Sequence, residues 1–192
     1  MISKMEFHET PLDGVWLIEP FCATDERGAL IKDYNRTTFE SYGITNPLKE
    51  EFYTVSRRGV IRANHFQAVK QQAKIVRCIS GKVIDAVTDL RPDSPTFGKH
   101  VMYELSAENR LQLYVPRYCA HGYLVVEDSV VCYKADEEFY GPGDSGIMWN
   151  DPDLAIEWPL HMVGGEENLT ISGKDRNLMS FKAYKEALCM AK

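Results

Sequence analysis

The sequence predicts an all-β fold, an antiparallel sandwich or barrel, from three features. Ten short runs rich in β-branched, aromatic and aliphatic residues follow one another along the chain. Turn signals such as RPDSP at 91–95 and GPGD at 141–144 separate these runs. Helical patterns are scarce. Many short strands at close spacing favour a sandwich or barrel over an alternating α/β fold.

The elements predicted in order are ten strands and two helices. The strands are expected at 15–20, 51–56, 60–66, 74–80, 82–90, 100–105, 111–116, 121–127, 130–135 and 146–150. The tripeptides SGK at 80–82 and EDS at 127–129 are interpreted as turns between neighbouring strands. A short helix is expected in NRTTFESYG, with Thr37 or Thr38 near its cap, and a C-terminal helix at about 180–191. One domain is expected over 1–192, with a core from about 14 to 178.

Composition narrows the class of protein. The 192 residues are 44% hydrophobic and 26% charged with a net charge of -6, which indicates one globular domain and disfavours a nucleic-acid binder. The five cysteines are odd in number and form no C-x-x-C, so reduced thiols in a cytoplasmic protein are expected. We expect no membrane span, because no apolar run approaches the roughly 20 residues that one requires.

The segment GVIRANHFQ at 59–67 carries polar side chains in an otherwise apolar strand. Side chains alternate between the two faces of a strand, so strict alternation separates Arg62 from His65. Only a bulge would bring these two side chains to the same face.

Three more apolar runs carry polar side chains. His121 lies in PRYCAHGYLVV, Tyr133 and Lys134 lie in VVCYKADEE, and Lys74 and Arg77 lie in AKIVRC. Burying such groups is costly unless they are paired or serve a ligand. The four strands therefore predict a polar barrel interior that holds a small molecule.

Two other chemistries are less well supported. His65 and His121, with Gln67 or a carboxylate, could form a mononuclear metal centre, but the sequence has no H-x-H or H-x-x-x-H. A serine hydrolase is disfavoured because no G-x-S-x-G occurs.

Longer motifs point to a family. They are DERG (25–28), SRRGVIRANHFQ (56–67), AKIVRCISGKVIDAVTDLRPDSPTFGK (73–99), ELSAENRLQLYVP (104–116), AHGYLVV (120–126), YK (133–134), WNDPDLAIEWPL (149–160) and ISGKD (171–175). From about Gly14 to Leu178 the chain resembles the dTDP-4-dehydrorhamnose 3,5-epimerase family of sugar-nucleotide epimerases. The resemblance implies a cupin, or jelly-roll, β-barrel that works as a homodimer without metal or cofactor.

The resemblance also implies roles for individual residues. His65 would be the general base, oriented by Asp175, with Lys74 stabilising enolate charge and Tyr133 acting as the acid on the other face. Arg27 and Arg62 match phosphate contacts. Further substrate contacts are implied at His121, Gln67, Lys174, Glu50 and Tyr140.

Several positions depart from the family pattern. Asn64 stands beside the base, Leu30 and Lys32 replace an aromatic and an acidic residue, and the family's Q-x-N reads Glu50-Glu51-Phe52. These last positions surround the nucleotide in the family, some of them reaching the neighbouring subunit, so dTDP, CDP and GDP all remain open. Whether C3, C5 or both are inverted is open too. The alternatives are a non-catalytic sugar-nucleotide-binding cupin and a metal-dependent cupin enzyme.

Overall fold

The computed structural model describes residues 2–190. The strands in this range are β1 (Ile2–Ser3), β2 (Glu6–Glu9), β3 (Trp16–Glu19), β4 (Phe21–Asp25), β5 (Gly28–Lys32), β6 (Glu50–Ser56), β7 (Ile61–Gln67), β8 (Lys74–Asp89), β9 (His100–Ser106), β10 (Gln112–Val115), β11 (Cys119–Ala135) and β12 (Asp144–Gly146). The α-helices are α1 (Arg36–Ser41) and α2 (Phe181–Met190). The all-β prediction is confirmed.

The strands form two antiparallel sheets. The large sheet runs in the order β12-β7-β11-β8-β10-β3-β2, with β6 also paired to β11 and β9 also paired to β8. The small sheet has the order β1-β4-β5. The long strands β8 and β11 pair along nearly their whole length and bring β6, β7 and β12 to one side of the barrel.

Two predicted turns are instead bends inside long strands. The prediction of separate strands at 74–80 and 82–90, and at 121–127 and 130–135, is wrong, because each pair forms one continuous strand. The tripeptides SGK and EDS face each other across the ladder, where Lys82 pairs with Glu127 and Ser80 with Val130. The register shifts at these pairs, so both strands bend together without ending.

Gly81 permits this bend. Its φ is +73°, and a Cβ built on it would lie 2.0 Å from the carbonyl oxygen of Asp128. A side chain at this position would be excluded both by the left-handed backbone and by the opposing strand.

The sequence missed several short elements. Strands β1, β2, β4 and β5 were not predicted, because they are short and mostly exposed and carry little apolar periodicity. The helix at 35–43 is α1, but its cap is Asn35, whose side chain accepts a hydrogen bond from the Thr38 backbone N–H at 3.0 Å. The C-terminal helix is observed as α2, and residue 191 of the prediction lies outside the described residues.

The core consists of three clusters of buried hydrophobic residues. One cluster includes Val76, Leu113, Tyr123 and Val125 of the large sheet. A second packs Phe181 of α2 and the segment around Ile147 to Val163 against β7 and β11. The third covers Ile18 and Ile75 with Phe39 of α1. No helix among residues 2–190 has the length and apolarity that a membrane crossing requires.

Candidate active site

A cavity of about 210 Å³ opens between β6, β7, β8 and β11. We call it the central cavity. Its lining residues are Phe52, Thr54, Arg62, His65, Phe66, Gln67, Gln72, Lys74, His121, Tyr123, Tyr133, Phe139, Asp144 and Lys174. The four apolar runs therefore each bring at least one polar side chain to one space. Arg77 and Lys134 do not line it and pair instead with Asp33.

An irregularity in β7 places Arg62 and His65 together. His65 pairs with His121 and Arg62 pairs with Tyr123, so three steps along β7 match two steps along β11. This register shift is the bulge that strict alternation required. Gly122 lies at the shift, where a Cβ would be 2.5 Å from the Ala63 Cβ. The close approach of the two strands thus requires glycine at position 122.

His65 is held by a buried carboxylate. Its Nε2 lies 3.1 Å from Oδ1 of Asp175, whose side chain is only 7% exposed. The Asp175 backbone N–H in turn donates to Ser172 Oγ at 3.0 Å. Burial favours the neutral acid, but the interactions with His65, Ser172 and Lys174 outweigh it and lower the pKa of Asp175. An ionised Asp175 can only accept, so Nε2 carries the proton and Nδ1 is the basic nitrogen.

Tyr133 lies on β11 and is also enclosed. Its ring stacks on Phe52 at 4.6 Å between centroids and meets the edge of His121 at 5.8 Å. Burial raises the pKa of Tyr133 well above its ordinary value, and the neighbouring Tyr123 and Asp85 add to this effect while Arg62 opposes it. The phenol therefore holds its proton and can serve as a donor.

Lys74 begins β8 at the cavity wall. Burial lowers its pKa, while attraction to Asp144 and Glu50 opposes this shift. Asp144 also lines the cavity and forms an ion pair with Lys174. A half-buried ammonium at the cavity wall is suited to meeting developing negative charge on a ligand.

A second histidine–carboxylate pair was missed by the sequence analysis. His121 Nε2 lies 2.8 Å from Oδ2 of Asp85, and both side chains are buried. Burial raises the pKa of Asp85, against the opposing effect of His121. The available signal was Asp85, one of two aspartates in the apolar run KVIDAVTDL. Asp144 was missed too, because it lies in the turn-like segment GPGD.

The remaining predicted substrate contacts differ in their positions. Arg62 and Lys174 line the cavity, and Arg62 Nε donates to Ser56 Oγ at 3.1 Å. Gln67 also lines it, but its amide is used by the main chain: Oε1 accepts from the Tyr140 N–H at 2.6 Å and Nε2 donates to the Lys70 carbonyl at 2.7 Å.

Three predicted contacts lie outside the lining of the central cavity. Glu50 accepts a hydrogen bond from the Phe139 N–H at 2.7 Å. The Lys70 ammonium lies over the Tyr140 ring, 4.8 Å from the ring centroid. Arg27 lies in the exposed β4–β5 hairpin and pairs with Asp25 at 2.5 Å.

The metal-centre interpretation gains little from the geometry. His65 and His121 each direct Nε2 to an aspartate, and the Gln67 amide is bonded to backbone. Among residues 2–190, the one group of potential ligands close enough to share an ion is Glu6, His8 and Glu19, all exposed on β2 and β3.

Comparison with known proteins identifies the class and then the family. A family profile described as dTDP-4-dehydrorhamnose 3,5-epimerase matches residues 9–183. The fold is that of the cupin-fold carbohydrate epimerases, and enzymes of this class are isomerases. The chain belongs to the dTDP-4-dehydrorhamnose 3,5-epimerase family.

Individual relatives resemble the chain along nearly its whole length. The Methanothermobacter thermautotrophicus enzyme of this name is 42% identical over 177 residues, 92% of this chain and 94% of the relative. The crystal structure of the Elizabethkingia anophelis enzyme matches with a TM-score of 0.87 and 39% identity, covering 93% of this chain and 97% of that one. A Legionella pneumophila 3,5-epimerase in complex with dTDP-4-keto-L-rhamnose gives a TM-score of 0.88 at 32% identity, covering 93% and 94%.

Proposed function

We propose that this chain inverts C3, C5 or both carbons of a nucleoside-diphosphate-linked 4-keto-6-deoxyhexose. The observation that carries the proposal is the arrangement of the central cavity, where His65 paired to Asp175, buried Tyr133 and half-buried Lys74 line one space. The Legionella relative holds dTDP-4-keto-L-rhamnose, a sugar nucleotide of this chemical class.

The proposed mechanism removes a proton next to the ketone and returns one to the opposite face. His65 accepts the proton at Nδ1, because Asp175 keeps the other nitrogen protonated. The Lys74 ammonium stabilises the negative charge that develops on the ketone oxygen. The Tyr133 phenol then protonates the carbon from the other side. Each positioned acid or base contributes typically about 10²–10⁴-fold to the rate.

The charged groups at the rim support binding of the diphosphate. Arg62 and Lys174 line the cavity, and guanidinium and ammonium groups are the usual partners of phosphate oxygens. Lys174 is paired with Asp144, so phosphate binding would compete with that carboxylate. The proposed chemistry at the sugar is better supported than the identity of the nucleotide base, because Glu50 and Phe52 stand where the family has Gln and Asn.

A homodimer is a further part of the proposal. Tyr53, Val55 and Ile79 are 68%, 70% and 47% exposed, an apolar surface that a second copy could cover. The resemblance places part of the nucleotide site across the subunit boundary, which would give Arg27 a role from its exposed hairpin. Light scattering that gives the mass of one chain across micromolar concentrations would contradict the dimer.

We also propose a cytoplasmic location. All five cysteines are free, which fits a reducing compartment. A fractionation experiment that recovers the protein outside the cytoplasm would contradict this.

Proton NMR in D₂O tests the proposed reaction. The purified protein is incubated with dTDP-, CDP- or GDP-linked 4-keto-6-deoxyglucose, and the C3 and C5 proton signals are followed. We expect loss of one or both signals with the wild type and no loss with His65→Ala. His161→Ala, an exposed histidine in the turn Leu160–Val163, is the matched control and should behave as the wild type. A wild type that binds these compounds without exchanging either proton would favour a non-catalytic binding protein.

A further inference from the structure

One face of the Tyr133 ring is covered by the ring of Phe52. The two residues lie directly opposite each other on the paired strands β11 and β6. Their rings stack with 4.6 Å between the centroids and 9° between the planes. Both residues line the central cavity, so the stack lies where the sugar would bind.

The alternation of side chains along β6 directs Phe52 into the cavity. Phe52 and Thr54 line it, whereas Tyr53 and Val55 are 68% and 70% exposed. Phe52 is 36% exposed and Tyr133 is 6% exposed. Phe52 is therefore the outer member of the stack, and it shields Tyr133 on the side of β6. The family pattern has Asn at position 52, and an amide offers no ring to stack on Tyr133.

The titratable groups around Tyr133 come from the other strands of the cavity wall. They are Arg62 of β7, Lys74 and Asp85 of β8, and His121 and Tyr123 of β11. From β6, the hydroxyl of Thr54 and the apolar ring of Phe52 face the same space. Burial is the largest cause of the raised pKa of Tyr133, and Phe52 adds to that burial without adding a charge.

The proposed reaction requires the Tyr133 hydroxyl at one position beside the sugar. This hydroxyl lies on the axis of the ring, so a flip of the ring in place does not move it. A swing of the side chain about χ1 does move it, and the Phe52 ring blocks a swing towards β6. A displacement of about 1 Å in a reacting group can cost roughly 10²-fold in rate.

We propose that Phe52 is a positioning residue, which holds the Tyr133 ring so that its hydroxyl meets the sugar carbon to be protonated. The inference rests on the proposed epimerisation. Phe52 itself exchanges no proton, and the pair of His65 and Asp175 does not depend on it. Loss of the Phe52 ring should therefore impair protonation by Tyr133 more than proton abstraction by His65.

Proton NMR in D₂O separates these two halves of the reaction. Loss of the C3 or C5 proton signal reports abstraction, because the protonated His65 exchanges with D₂O and can return a deuteron to the same face. Formation of the inverted sugar reports protonation by Tyr133. The substrate is the nucleotide-linked 4-keto-6-deoxyglucose that the wild type exchanges. We expect the ratio of inverted sugar to lost signal to fall by about tenfold or more in Phe52→Ala, with KM within about twofold of the wild type.

Two further variants distinguish the ring from the mere presence of a side chain. Phe52→Tyr keeps the stacked ring at a site that is 36% exposed, so it should restore the wild-type ratio. Glu51→Ala is the matched control on the same strand. Glu51 faces Lys134, 3.8 Å away, and does not line the cavity, so its truncation should leave the ratio unchanged.

Titration of Tyr133 provides a measurement that does not depend on turnover. Tyrosine is isotope-labelled at the ring carbon Cζ, and the NMR signal of Tyr133 is assigned by its loss in Tyr133→Phe. Phe52→Ala should lower the pKa of Tyr133 towards its ordinary value, because water then reaches the ring. Glu51→Ala should leave this pKa at its wild-type value.

The possible outcomes separate this inference from the proposed function. An unchanged ratio in Phe52→Ala would overturn the positioning role. A raised KM with an unchanged ratio would also overturn it, because Phe52 would then only contact the substrate. A wild type that exchanges no proton with any of the three sugar nucleotides would overturn the proposed function, and this inference with it, whereas an unchanged ratio in an active enzyme overturns the inference alone.

Discussion

At the residue scale, the proposed base depends on the carboxylate that fixes its tautomer. Asp175 accepts from His65 Nε2 at 3.1 Å, which leaves Nδ1 free to take a proton. In Asp175→Asn the amide can donate to Nε2 and so favour the wrong tautomer. We expect proton exchange to fall by about 10²-fold or more, measured by NMR in D₂O. Asp153→Asn, an exposed aspartate paired to Lys185, should keep the wild-type rate. Full activity in Asp175→Asn would rule out this role.

The charge of Lys74 sets a second prediction at this scale. Burial lowers the pKa of Lys74, whereas Asp144 and Glu50 oppose that shift. The ammonium exists only below this pKa, so activity should fall on the alkaline side at a lower pH than an ordinary lysine would give. Glu50→Gln removes the attraction between the Glu50 carboxylate and the Lys74 ammonium, so the alkaline limb of the pH profile should move to still lower pH. The glutamine amide oxygen can still accept a hydrogen bond from the Phe139 N–H. The measurement is the exchange rate against pH.

The neighbouring substitution Glu51→Gln provides the control for Glu50→Gln. Glu51 faces Lys134, 3.8 Å away, and does not contribute to the shift of Lys74. Its alkaline limb should coincide with that of the wild type. An alkaline limb in Glu50→Gln that also coincides with the wild type would contradict the electrostatic coupling.

At the scale of the elements, the bend in β8 and β11 makes a prediction about stability. Gly81 has a φ of +73°, and a Cβ at this position would overlap the Asp128 carbonyl oxygen. Gly81→Ala should lower the free energy of unfolding by about 2 kcal/mol or more, because it combines backbone strain with a clash in a paired strand. Urea denaturation measures this change. Gly173→Ala, where a Cβ has open space, should stay within about 0.5 kcal/mol of the wild type.

The same elements show what local sequence could and could not predict. The apolar runs located β6, β7, β9 and β10 to within a residue or two, because each strand is a short run rich in β-branched, aromatic and aliphatic residues. SGK and EDS were interpreted as turns, because the same residue types occur where a paired strand bends and where the chain reverses direction. In the structure the two segments bend opposite each other. Only the pairing between two distant strands distinguishes a bend from a turn. The spacing of residues along one strand carries no information about that pairing.

At the scale of the whole molecule, the site was predictable where polar residues interrupt apolar strands. His65, Lys74, His121 and Tyr133 were identified in this way, and the structure gathers them in the central cavity. Asp175 lies in a loop-like segment and was reached only through the resemblance. Asp85 was overlooked because its importance depends on its partner, His121, which is 36 residues away.

The stability of the whole molecule towards acid gives the last prediction. Asp89 is fully buried and accepts hydrogen bonds from Arg91, Ser94 and Thr96 in the loop between β8 and β9. Burial opposes ionisation, but these bonds outweigh it and lower the pKa of Asp89 from 3.8 to about 2. Because the pKa of Asp89 is lower in the folded chain than in the unfolded chain, the carboxylate stabilises the fold at pH values above its unfolded pKa. This stabilisation is lost as the pH falls towards 2.

The expected contribution of Asp89 at neutral pH is about 2 kcal/mol. Asp89→Asn should therefore be less stable than the wild type by at least about this amount at pH 7, and the difference should shrink steadily below pH 4. Urea unfolding of both proteins at pH 7, 5, 4 and about 3 measures the difference. Asp93→Asn, exposed in the same loop, is the control and should follow the wild type at every pH. A difference between wild type and Asp89→Asn that stays constant down to pH 3 would show that the carboxylate stabilises the loop through its shape and not through its charge.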